Sequence, residues 1–121
     1  MQYLLLLYHN EKEFQTLSQE EKGKLTQEYF ALIDDLTRRG QYLGGNPLEA
    51  TTTARTVRVR DHKPVVTDGP FAETKEQLGG YFLVEVKDEA EAAAIAARIP
   101  AARRGSVEVR RVPVIPPRPK E

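Results

Sequence analysis

Hydrophobic positions along the chain fall into continuous, alternating and helically spaced runs. Tyr3-Leu4-Leu5-Leu6-Leu7-Tyr8 is continuous, the mark of a strand covered on both faces. Ser18-Gln19-Glu20-Glu21 reads as a capping box, and Leu25, Tyr29, Leu32, Ile33 and Leu36 recur at helical spacing until Gly40 ends the pattern. The spacing predicts a helix from Ser18 to Arg39, with His9-Asn10-Glu11 as a polar loop before it. Tyr42-Leu43 resumes an extended segment, which Gly44-Gly45-Asn46-Pro47 is expected to break. Thr56 to Arg60 alternates, predicting valines inward and arginines outward, and Asp61-His62-Lys63-Pro64 turns the chain into Val65-Val66-Thr67.

Gly79-Gly80 opens a second continuous run, Tyr81 to Val86. Asp88 and Glu91 cap an Ala-rich helix that stops before Pro100. Ser106 to Val114 reads as the last strand. Its valines change parity between Val109 and Val112, so a bulge is expected near Arg110-Arg111. Ile115 to Pro119 lies in an extended, Pro-rich tail. The order strand, helix, strand, hairpin, strand, helix, strand is that of an α+β, ferredoxin-like split β-α-β with an inserted β-hairpin. That plan puts the two continuous runs in the middle of the sheet, where both faces need cover. The reading is one domain over 1–114 followed by a tail over 115–121.

Composition narrows the function classes. Eighteen basic and eighteen acidic residues cancel, so no net field draws the chain to nucleic acid or anionic lipid. The absence of cysteine removes disulfides, thiolate metal sites and a Cys nucleophile. Two separated histidines make a poor ligand set, so neither a metal nor a cofactor is expected. The run Tyr3–Tyr8 is too short for a membrane span or a signal peptide's apolar region, which leaves a cytoplasmic protein as the expectation. Arg103-Arg104 and Arg110-Arg111 read as solvated charge.

Candidate chemistry gathers between Val66 and Glu85. Asp68-Gly69-Pro70 is a shaped turn, Pro70 stiffens it, and Phe71 is placed to anchor the loop by burying its ring. Asp68, Glu73, Lys75 and Glu76 could form an acid/base group on a cleft, with Asp68 as base or orienting acceptor. His9, at the end of a central strand, is the imidazole placed to join them. The competing reading makes Asp68 a turn cap and leaves Glu73, Lys75, Glu76 and His9 as surface residues.

Three segments carry a resemblance: Tyr3 to Tyr8, Val66-Thr-Asp-Gly-Pro-Phe-Ala-Glu-Thr-Lys-Glu-Gln-Leu-Gly-Gly-Tyr, and Ala97-Arg-Ile-Pro with Ser106-Val-Glu-Val-Arg. Through them the chain resembles the YCII-related family in its DGPF-motif subgroup. The resemblance implies a ferredoxin-like subunit that dimerises through its sheet into a dimeric α+β barrel. It also implies acid/base enzymology with a His-Asp pair, the His on the first helix. Here Ser18 to Arg39 contains no histidine, which leaves His9, Asp68 and the Glu73-Lys75-Glu76 group as local substitutes. In the final strand Arg111 stands where the subgroup has proline. Genes of this subgroup often lie beside those of alternative sigma factors, which implies a regulatory setting.

Three functions compete at this level. One is a small lyase- or isomerase-like catalyst on a small polar molecule. Another is a ligand-binding or protein-interaction module contacting a sigma-factor-related protein rather than DNA. The third is a structural homodimer whose loop only shapes the fold.

Overall fold

In a computed structural model describing residues 1–119, the two continuous apolar runs form adjacent central strands. β1 (Gln2–His9) pairs antiparallel with β5 (Gln77–Glu85) on one side and β6 (Ser106–Arg111) on the other, and β2 (Tyr42–Pro47) flanks β5. The order β2-β5-β1-β6 interlocks two β-α-β crossings. One passes through α2 (Gln19–Arg38), the other through α3 (Glu89–Arg98). A second sheet holds only β3 (Arg55–Arg60) and β4 (Lys63–Asp68). The chain is therefore a mixed α+β domain with antiparallel sheets.

Alternation along the central strands decides what is buried. Tyr3, Leu5 and Leu7 of β1 and Phe82 and Val84 of β5 share a core with Leu32 and Leu36 of α2 and with Ala92, Ile95 and Ala96 of α3. Both helices thus lie on one side of the sheet. Leu5, Leu36 and Val84 are fully excluded from water, each contributing roughly 1.5–3 kcal/mol by burial. On the opposite side Leu4, Leu6, Tyr8, Tyr81 and Leu83 are half-buried.

Helix boundaries follow the local signals. Ser18 accepts from the Glu21 amide at 3.1 Å while the Glu21 carboxylate accepts from the Ser18 amide at 3.1 Å, closing the capping box. The bonds from Ser18 hold the Glu21 carboxyl below its ordinary range. Asp88 caps α3 by accepting from the Glu91 amide at 2.9 Å. Two short helices went unread. α1 (Glu11–Gln15) is capped by Asn10, whose side chain accepts from the Glu13 amide at 3.1 Å, and α4 (Ala101–Arg104) starts after Pro100. One turn is too short for hydrophobic periodicity to register. A 3₁₀ turn also spans Thr51–Thr53.

The strands depart from expectation in four places. Gly44 to Pro47 does not break β2, because β5 supplies ladder partners for all four residues and outweighs their low strand propensity. Leu43 is the irregularity there. Gly79-Gly80 lies inside β5 rather than ahead of it, with a register shift opposite Leu7-Tyr8. The pairing of β6 with β1 runs without a shift through Arg111, so the change of valine parity reflects the strand's end, not a bulge. The valines of β3 do not face a core: Val57 and Val59 are 61% and 63% exposed. Alternation shows that the two faces of a strand differ, but not that the apolar one is covered.

The hairpin turns through Asp61 and His62, both at positive φ, as a two-residue turn matching the strand twist requires. Residues 113–119 are exposed and outside regular structure, while residues 120–121 of the expected tail lie outside the described residues. Among the described residues no helix is long and apolar enough to cross a membrane.

Candidate functional site

Alternation along β1 puts His9 on the same face as Leu5 and Leu7, the face that meets the helices. At this end of the sheet the packing opens into a cavity of about 520 Å³ between α2 and the ends of β1, β2 and β5. His9, Phe14, Lys22, Tyr29, Tyr42 and Phe82 contribute to its wall, and most of the remaining lining is apolar.

His9 has two close neighbours. Its ring stacks on Phe14 with centroids 5.1 Å apart and planes 14° from parallel. The backbone of Gly79 also comes close to the imidazole: a Cβ there would collide with Cε1 of His9 and sit 2.9 Å from Nδ1. Pairing assigns Leu7 to Gly80 and Tyr8 to Leu78, so Gly79 is the extra residue of a β-bulge. Gly79, having no side chain, thus leaves room for the imidazole. Lys22 lies over the Phe14 ring at 5.7 Å, joining α2 to the same aromatic cluster. Deeper in, Tyr42 meets Phe82 edge-on at 5.5 Å and Tyr29 meets it tilted at 6.3 Å. Burial raises the pKa of both phenols, so Tyr29 and Tyr42 stay protonated across the neutral range.

The motif stretch supports this cavity from behind. Gln77 accepts from the Glu11 amide at 3.0 Å and donates to the Thr74 carbonyl at 2.6 Å, tying the loop to the start of α1. Glu11 in turn accepts from the amide and hydroxyl of Thr51, both at 2.8 Å. These bonds fix α1, which carries Phe14 against His9.

The front of the motif closes the hairpin. Gly69, at φ 91°, donates to the Ala54 carbonyl at 2.8 Å and accepts from the Thr56 hydroxyl at 2.8 Å. Asp68 pairs with Arg55 at 3.1 Å, and its side chain is 91% exposed. Phe71 does not anchor the loop: it is 80% exposed, since the chain after Gly69 runs outside the core. Glu73 and Lys75 are exposed, and Glu76 accepts from the Ser106 hydroxyl at 2.8 Å. His9 lines the cavity, whereas Asp68, Glu73, Lys75 and Glu76 are not among its lining residues.

Phe14, Lys22 and Tyr42 were not singled out from the sequence. The signal available was a histidine at the end of one apolar run, together with a Gly-Gly pair beside another. Neither says what stands opposite it until the strands are paired.

An α+β domain with an aromatic-walled cavity beside one histidine is the class that this geometry defines. The family can be stated as well. Residues 1–115 match the YCII-related domain, and the chain belongs to that family. It is 35% identical over 112 residues to the uncharacterised protein R00369 of Rhizobium meliloti (strain 1021), an alignment covering 91% of this chain and 90% of that protein.

Proposed function

We propose that the cavity binds a small organic molecule and that His9 acts there as the proton donor or acceptor, in a small acid/base enzyme of the lyase or isomerase kind. The observation that carries this reading is the imidazole packed against Phe14 and close to the Gly79 backbone in the wall of a cavity of about 520 Å³. Packing against Phe14 narrows the orientations open to the ring, which favours proton transfer. The interlocked crossings support a ferredoxin-like subunit, and the half-buried apolar face supports pairing of two subunits sheet to sheet, which would complete a dimeric α+β barrel. The Asp68-Gly69-Pro70-Phe71 sequence supports the DGPF subgroup, and we place the protein in the cytoplasm.

A second reading is favoured by the hairpin. Val57, Val59 and Val66 are each more than 60% exposed, and Phe71 more so. A two-stranded ribbon with one apolar face gains stability when something covers that face. An interaction module, with a sigma-factor-related protein as partner, would use this surface.

The test is a metabolite screen by ligand-observed NMR, followed by comparison of wild type, His9→Gln and Asp68→Asn. Ligands are expected to shift the amides of Gly79, Gly80 and Phe82, with conversion falling about 100-fold or more in His9→Gln. Equal handling by His9→Gln would remove the imidazole from the chemistry. Shifts concentrated between Asp68 and Lys75 would move the site to the loop. Asp68→Asn, at an exposed ion pair, should leave stability within about 1 kcal/mol. Loss of conversion in that variant would instead assign Asp68 a share in the chemistry.

A further inference from the structure

Charge in the cavity wall is one-sided. Lys22 supplies an ammonium and His9 an imidazole, while none of the lining residues is Asp or Glu. Glu11, two residues from His9, has its carboxylate committed to Thr51. In a chain of net charge zero, this excess is local to the cavity. The apolar part of the wall is equally specific. Phe14, Tyr29, Tyr42 and Phe82 line it with rings beside aliphatic side chains, and that share of aromatic surface favours a flat, polarisable body over a branched aliphatic one. Lys22 places its charge beside the Phe14 ring.

We infer that the ligand is a planar organic anion, an aromatic or conjugated carboxylate, whose ring lies among these aromatic side chains and whose carboxylate meets Lys22. This rests on the small-molecule reading of the cavity given above. A cationic ligand would meet Lys22 with no carboxylate in the lining to offset it. The Tyr42 hydroxyl adds a protonated donor for a second oxygen of the ligand. Pockets of this size commonly enclose one small ligand, and about 520 Å³ leaves room for a one- or two-ring acid.

The experiment compares 1-naphthoate with 1-naphthamide, equal in shape and different in charge, by calorimetry and amide chemical shifts. The acid is expected to bind about tenfold or more tightly than the amide, with shifts at Gly79, Gly80 and Phe82. Lys22→Met keeps the aliphatic stem and removes the ammonium. It should weaken the acid by about tenfold while leaving the amide unchanged. Cyclohexanecarboxylate, anionic but not flat, should bind more weakly than the aromatic acid. If the amide binds in the cavity as tightly as the acid, the anionic class is wrong and the small-molecule reading stands. If cyclohexanecarboxylate matches naphthoate, the planar requirement is wrong. If neither naphthalene compound shifts the cavity amides, the inference fails; the metabolite screen then separately decides the reading it rests on. The comparison on wild type needs no variant, so a poorly folding Lys22→Met leaves the inference falsifiable.

Discussion

Two glycines with crowded surroundings are expected to behave differently when given a methyl group. At Gly79 the obstacle is the far end of the His9 side chain, which can rotate away. At Gly105 it is the carbonyl oxygen of Tyr8, fixed in the β1 ladder. Gly79→Ala should therefore keep stability within about 1 kcal/mol of wild type, while expelling the imidazole from its stack and lowering ligand affinity. Gly105→Ala should cost about 1–3 kcal/mol or more, because backbone must shift. Thermal melts, with the ring-current shift on Phe14 as the stacking readout, check both. An undisturbed His9 ring in Gly79→Ala would show that the glycine does not seat it.

At the scale of elements, the joint between α2 and α3 is polar at its edge. Asp35 accepts from Arg98 at 2.7 Å across the two helices and from Arg39 at 3.2 Å within its own. The bond from Arg98, then that from Arg39, holds the Asp35 carboxyl below the ordinary range. A depressed carboxyl stabilises the fold fully above its unfolded pKa of about 3.9, and the contribution fades as pH falls through the folded value. Asp35→Asn should thus melt below wild type at neutral pH, with the gap closing as the pH drops below about 4. A gap constant down to strongly acid pH would mean that Asp35 acts by shape and not by charge. The neighbouring Arg103 and Arg104 are also engaged, at 2.7 Å with Glu28 and 3.8 Å with Glu21. Their reading as ordinary surface charge agrees with this.

For the molecule as a whole, the sheet face away from the helices is the unsettled surface. Leu4, Leu6, Tyr81 and Leu83 lie there half-buried, more apolar than a wet sheet face of an isolated subunit ordinarily is. Two subunits stacking these faces would form a self-complementary two-fold interface. Light scattering at micromolar concentration should give twice the chain mass of 13.7 kDa. Leu6→Lys should shift that mass toward the monomer while leaving the helical core folded. A monomeric mass for the wild type would overturn the sheet-to-sheet arrangement.

The sequence by itself determined which segments become central strands and where the two main helices start. Short continuous apolar runs bounded by polar or glycine residues suit a strand covered from both sides, and Ser18-Glu21 and Asp88-Glu91 satisfy helix amides from within their own turns. It also offered His9 as the candidate imidazole at the end of a central strand. What it could not carry was distance. His9 and Gly79 are 70 positions apart, and only the β1–β5 register, shifted by one bulged residue, lays one across the other. Phe14 reaches the imidazole because Gln77 pins a helix of one turn, too short for any periodicity to reveal. The exposure of Val57, Val59 and Phe71 was hidden for the same reason. Patterns along a chain report how its two faces differ, whereas burial depends on what other parts of the chain bring opposite each face.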